Sequence, residues 1–181
     1  MRKVLLLFLL ALSLQVSAQG TKFMGLTMEG TAKEFAAKLV NERGFVQKSG
    51  YLEGRLEGRD VSVSIDGYRN KISSVFVSFG SESCYQSAVD LYNILYNDLF
   101  YNDSYIWEDG LDITGNNFDR TRQKVEEKSG LFLSRFHQVE DGIGYPDRRV
   151  KLCLMYMEKY GYFCVVLCYY NRQYAPNGSE L

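Results

Sequence analysis

Three of the four cysteines crowd into one short stretch, CLMYMEKYGYFCVVLC, as Cys153, Cys164 and Cys168. Two apolar runs flank Gly161, so the stretch reads as a β-hairpin. With Tyr160-Gly161 as a two-residue turn, Cys153 faces Cys168 and Met157 faces Cys164. Directly opposed residues hold their Cα atoms about 4.5–5.5 Å apart, within disulfide reach. With Lys159-Tyr160 as the turn, Cys153 faces Val166 instead. Cys164 and Cys168 lie about 13 Å apart along one strand and cannot bond each other. Two readings stay open: a Cys153–Cys168 disulfide, and buried thiols acting as small hydrophobes. Cys84 is a more distant candidate partner. A zinc or redox centre needs C-x-x-C-like spacing, with histidines for the metal. That spacing is absent, so neither a metal nor a cofactor is expected.

His137 is the single histidine. In SRFHQVE it alternates with Arg135 and Val139, as on one strand face, and no nucleophile is placed beside it for a Ser-His-Asp or Cys-His site. Glu108, Asp109 and Asp112 in WEDGLD, and Asp141 with Asp147 around DGIGYPD, offer oxygens for Ca²⁺ but lack the 12-residue calcium-loop pattern. The glycine stretches GSES and GIGY have no phosphate-loop spacing. The aromatics carry more. Tyr101, Tyr105 and Trp107 sit among Asn102, Asp103, Glu108 and Asp109, a mixture that can stack on a sugar or meet a partner protein. The competing role is to anchor a long loop to the core.

These groups sit in a chain of 181 residues with 46% hydrophobic and 14% aromatic content, enough for a packed core. The opening MRKVLLLFLLALSLQVSAQG has a basic start, an apolar run and a small-residue site at Val16-Ser17-Ala18. It predicts a signal peptide over 1–18 and a protein exported to the periplasm or secreted. The apolar run is too short to span a bilayer, no later one is longer, and no cysteine near the cleavage site provides for a lipid anchor. Loss of Arg2 and Lys3 takes the 21 basic residues to 19 against 22 acidic, a net charge of −3. There is no basic stripe, so no nucleic-acid partner is expected.

The elements that must position these groups follow. GTAKEFAAKLVNERGF predicts a helix with a Thr31–Glu34 capping box, an apolar face and Gly44 as its stop. YLEGRLEG, VSVSIDG and KISSVFVSFG read as strands, with a turn at Gly58-Arg59-Asp60 and a slip at Ser73-Ser74 that marks a bulge. SCYQSAVDLYNILYNDLFYN is a second helix capped by Ser83, with Tyr85, Ala88, Val89, Tyr92, Leu95, Tyr96 and Leu99 on its apolar face. Residues 103–117 read as irregular, DRTRQKVEEK as a short polar helix, GLFLSRFHQV as a strand and DGIGYPD as a loop. RRVKLCLMYMEK and YFCVVLCYYN are long strands. The fold class is α+β: an antiparallel sheet with two main helices on one face, organised as one domain over 19–172 and a loose tail over 173–181. Helix, three strands, helix and three strands are also consistent with two tandem α-β-β-β units over 23–80 and 83–172.

The block FMGLTMEGTAKEFAAKLVNERGF, with Phe23, Gly25, Gly30, Thr31, Gly44 and Phe45, resembles the opening of small exported proteins of Bacteroides-like bacteria. The DGIGY loop and the paired strands after it look similar to the same group. No activity attaches to that group, so the resemblance implies no site residue. The element order is also similar to the fold of β-lactamase inhibitory protein and of small outer-membrane assembly lipoproteins, a likeness of fold that carries no function. The reading is therefore a non-enzymatic binding or protein-interaction module, with self-association through a second sheet face as one mode. The alternative is a small-ligand or glycan binder built on Tyr101, Tyr105 and Trp107. A carboxylate-dependent hydrolase ranks below both.

Overall fold

A computed structural model describes residues 20–127 and 130–171. The signal peptide expected over 1–18 and the tail expected over 173–181 lie outside the described residues. Ten strands and three helices are described: β1 (Lys22–Phe23), β2 (Leu26–Thr27), α1 (Ala32–Arg43), β3 (Val46–Gln47), β4 (Leu52–Leu56), β5 (Arg59–Tyr68), β6 (Lys71–Glu82), α2 (Tyr85–Phe100), β7 (Tyr105–Asp109), α3 (Phe118–Glu126), β8 (Leu131–Glu140), β9 (Ile143–Met157) and β10 (Tyr162–Asn171). β1 and β2 form a small hairpin. The other eight strands make one antiparallel sheet in the order β3-β4-β5-β6-β10-β9-β8-β7. The chain is thus α+β. No helix among the described residues is long and apolar enough to cross a membrane.

Local chemistry explains most boundaries. Thr31 Oγ1 accepts the Glu34 amide at 3.2 Å and Glu34 returns the bond to the Thr31 amide at 2.8 Å, closing the capping box; Gly44 ends α1 at φ 72°. α2 buries all seven residues of its predicted face. Its cap is Cys84, one residue later than Ser83. The β4–β5, β5–β6 and β8–β9 hairpins turn on residue pairs with positive φ at both positions: Glu57-Gly58, Arg69-Asn70 and Asp141-Gly142. Such pairs match the twist of the strands they join. The turn expected at Gly58-Arg59-Asp60 therefore contracts to Glu57-Gly58. Asp66 pairs with Ser74 and Gly67 with Ile72, which leaves Ser73 as the extra residue of a bulge.

Three readings are corrected. The DGIGYPD stretch is not a loop beyond Asp141-Gly142: Ile143 already belongs to β9. Pro146 falls between Gly144, which pairs with Val139, and Arg149, which pairs with His137, where β9 bulges out of the ladder and needs no amide donor. The irregular stretch contains β7, an edge strand held on β8. The β9–β10 register sets Cys153 opposite Val166 and Cys168 opposite Lys151. The loop is four residues, 158–161, with the Tyr160 and Gly161 amides both donating to the Met157 carbonyl. Cys153 and Cys168 are thus diagonal neighbours, and all four cysteines are free thiols. The Cys153–Cys168 disulfide is not formed.

The strand alternation separates two apolar clusters. One joins Phe35 and Leu39 of α1, the buried face of α2 and Val125 of α3 to Val75, Leu152, Leu154, Val165 and Leu167 of the sheet. The other is made of strand residues from the opposite face, centred on Cys153, Cys164, Val166 and Cys168.

Candidate functional site

A concave feature lies where the β1–β2 hairpin, the end of α2 and strands β8 to β10 meet, a cleft of about 390 Å³. Its first wall is the hairpin, and side chains hold it. The Gln138 amide pairs with Lys22 as a peptide would: it accepts the Lys22 amide at 2.8 Å and donates to the Lys22 carbonyl at 2.6 Å. Thr21 Oγ1 donates to the Tyr170 carbonyl at 2.6 Å, and Phe23, fully buried, packs on Tyr169 with ring centroids 5.1 Å apart. A buried glutamine with both amide groups used makes a rigid support rather than an orphaned polar group.

The floor carries two phenols. Tyr105 and Tyr169 lie beside the Gln138 side chain in the cleft lining, and burial pushes both phenols up from their usual value. They act as neutral hydrogen-bonding groups at any physiological pH. Leu95, Leu99 and Leu167 supply apolar wall.

The rim carries charge of both signs. Glu140 lies between Lys22 and Arg148, with Arg148 Nη1 donating at 2.8 Å. Hydrogen bonds from Lys22, then Arg148, hold the Glu140 carboxyl below the ordinary 4.5. The Arg148 guanidinium is 4% exposed and lies 3.7 Å over the Tyr145 ring, a cation–π contact. Lys22, Glu140 and Arg148 together leave one positive charge. Glu57 and Asp98 also line the cleft, and neither has an ion-pair partner among the described residues.

The three aromatics singled out in the sequence divide. Tyr105 enters the cleft. Tyr101, 79% exposed, and Trp107, 45% exposed, share contacts with Phe100 at 5.2 and 6.4 Å between ring centroids, forming an aromatic shelf at the end of α2. Trp107 Nε1 donates to the Gly110 carbonyl at 3.2 Å, which fixes the indole. Phe100 completes the shelf and was not among the residues expected there; its signal is an aromatic just outside the apolar stripe at a helix end.

His137 and the acidic cluster serve the sheet edge. His137 Nδ1 lies 3.2 Å from Glu108 Oε1, and Arg135 pairs with Asp109. These cross-strand pairs clamp β7 onto β8 and use Glu108 and Asp109, two of the carboxylates weighed as calcium ligands. A Cβ at Gly144 would lie 2.7 Å from His137 Nε2, so glycine there is what admits the imidazole. Among the described residues, no three His, Cys, Asp or Glu side chains come close enough to hold a metal ion.

No family model, no curated protein and no solved structure matches this chain.

Proposed function

We propose that the protein is a non-enzymatic binding module, exported from the cytoplasm, whose cleft receives a small polar ligand. The observation that carries this reading is the Tyr105 floor: two neutral phenols, a buried amide and rim charges of both signs converge on one concave space with apolar walls. Ligand sites are concave and fix their ligands with a few placed polar groups; here polar and apolar side chains share the lining, which suits a polar ligand. The polar groups are already held by one another, so little ordering is needed when a ligand arrives. The reading of an exported protein rests on the signal-peptide pattern, and kinship with the small exported proteins of Bacteroides-like bacteria rests on the Phe23–Phe45 block.

The architecture is consistent with two tandem units. β4-β5-β6 and β8-β9-β10 are both three-strand meanders, each preceded by a helix, and they join through the β6–β10 pair. With residues of all three helices in one cluster, the helices would lie on one side of the sheet.

The chain has one tryptophan, and it sits on the shelf next to the residues that lead into the cleft. Trp107 fluorescence is therefore a built-in reporter. The test is a titration of the mature protein with panels of monosaccharides, oligosaccharides, amino acids and dipeptides, repeated for Tyr105→Phe and Trp107→Ala, the latter followed by calorimetry. Saturable binding lost in Tyr105→Phe supports the cleft. Binding lost only in Trp107→Ala, with the fold retained, moves the site to the shelf and favours a glycan, which stacks on exposed rings. No saturable binding across the panel contradicts the small-ligand reading and leaves protein recognition through the shelf.

A further inference from the structure

The sulfur atoms of the sheet are segregated. Of the eleven apolar side chains in the second cluster, five carry sulfur: Cys153, Met155, Met157, Cys164 and Cys168. In the cluster shared with the helices the sulfur belongs to Met24 and Met28, at the N-terminal hairpin, and none comes from a sheet strand. Along β9 and β10 the alternation is strict: Leu152, Leu154 and Tyr156 on one side against Cys153, Met155 and Met157 on the other, Phe163, Val165 and Leu167 against Cys164, Val166 and Cys168. Methionine is not a residue that a pleated strand favours, whereas β-branched and aromatic residues are. Packing alone therefore does not call for this pattern.

Three of these sulfurs share one groove. Met155, Met157 and Cys164 line an open space of about 520 Å³ with Phe76, Tyr162 and Val166 and with the hydroxyls of Ser62, Ser64 and Ser78. Met155 is directly opposed to Cys164 in the β9–β10 ladder, and Met157 lies two residues further on the same strand and face. Opposed Cα atoms are about 4.5–5.5 Å apart and same-face neighbours about 6.8 Å, spans that flexible methionine side chains bridge. The Cys164 thiol is 3.3 Å from the Ser78 hydroxyl, which fixes its position.

We propose that Met155, Met157 and Cys164 form a binding site for a soft monovalent metal ion, Cu(I). The donor set decides the ion. Zinc is held by thiolate, imidazole and carboxylate, and thioether ligands select Cu(I). Three sulfur donors satisfy Cu(I), and the groove's lining has serine hydroxyls but no carboxylate to draw Mg²⁺ or Ca²⁺. On binding, the Cys164 S–H bond breaks, its proton passes to solvent, and the thiolate and two thioethers donate electron pairs to the ion. Copper stays in the +1 state throughout, and no electron is transferred. This site is independent of the cleft and of its ligand.

The experiment uses the mature protein in a Cys84→Ser background, which removes the exposed thiol. Under reducing, oxygen-free conditions the protein is titrated against the coloured Cu(I)–bicinchoninate complex. The expected result is transfer of one equivalent of Cu(I), with transfer at least tenfold weaker for Met155→Leu/Met157→Leu and for Cys164→Ser. Leucine keeps the volume of methionine and the fold. X-ray absorption of the loaded protein needs no variant and should find only sulfur around the copper. Failure to withdraw Cu(I), undiminished transfer to the Met-to-Leu variant, or nitrogen and oxygen neighbours would each overturn the proposal.

Discussion

Leu154 and Met155 are neighbours on β9 and point to opposite sides of one sheet. Leu154 is fully buried in a cluster that draws residues from all three helices; Met155 is half-buried in a cluster of strand residues. The first side is built from Phe, Leu, Val and Tyr that interlock with helix residues; the second adds three Cys and two Met to Phe76, Leu131, Leu133, Val166, Tyr162 and Tyr170, which meet one another across strands. Periodicity alone makes both sides look like core, because β10 and the second half of β9, from Leu152 to Met157, are apolar at nearly every position. What separates them is the share of sulfur: five of the eleven side chains on the second side carry it, and no strand residue on the helix side does. A continuous apolar strand can thus pack against helices with one face and leave the other, richer in sulfur, to strand residues alone.

The largest expected effect lies on the helix side. Phe136→Ala removes a fully buried ring that packs against Tyr96, and should lower unfolding free energy by about 3–5 kcal/mol in urea melts. A loss near zero would mean that β8 is not part of the core. A smaller effect tests whether polar pairs inside that side are needed. Tyr92 and Ser134 share a hydrogen bond of 2.6 Å, and both are fully buried. Tyr92→Phe leaves the Ser134 hydroxyl without this partner and should cost about 1–3 kcal/mol. Adding Ser134→Ala should recover part of that loss; a purely additive double variant would contradict the pairing.

The smallest effect concerns the ionic rim. Glu140 has a carboxyl lowered from 4.5 by Lys22 and Arg148, so its contribution is complete above about pH 4.5 and is lost as the pH falls through its lower folded value. The pair is part-exposed, so its worth is about 0.2–1 kcal/mol. Wild type should exceed Glu140→Gln in urea midpoint at about pH 7, and the two should converge at about pH 2–3 as both side chains become neutral. A gap that persists at acid pH would show that Glu140 acts through packing rather than charge.

Elements governed by local chemistry were legible before the structure. The Thr31–Glu34 box, the apolar stripe of α2 and the Ser73 bulge each write their signal within a few residues. The β9–β10 register was not legible, because Tyr160 and Gly161 admit several turns and only the four-residue loop, closed by two amides on Met157, selects one. Edge strand β7 was missed because its pairing with β8 lies across a gap in sequence and its residues alternate without a clean apolar face. The cleft draws Lys22, Tyr105, Gln138, Arg148 and Tyr169 from five separate strands or turns, so no spacing rule could assemble it. One clue was present: Gln138 is a polar residue at the position where the alternation of Ser134 and Phe136 calls for a buried one. The shelf was half legible, since Tyr101 and Trp107 stand out by composition while Tyr105 turns away from them into the cleft.

The division of the sheet into a structural face and a sulfur face is tested most directly by paired urea unfolding of Leu154→Ala and Met155→Ala, two substitutions one residue apart. The account predicts a loss of about 2–5 kcal/mol for Leu154→Ala and about 1 kcal/mol or less for Met155→Ala. Equal losses would contradict it, because they would make the sulfur face a second packed core.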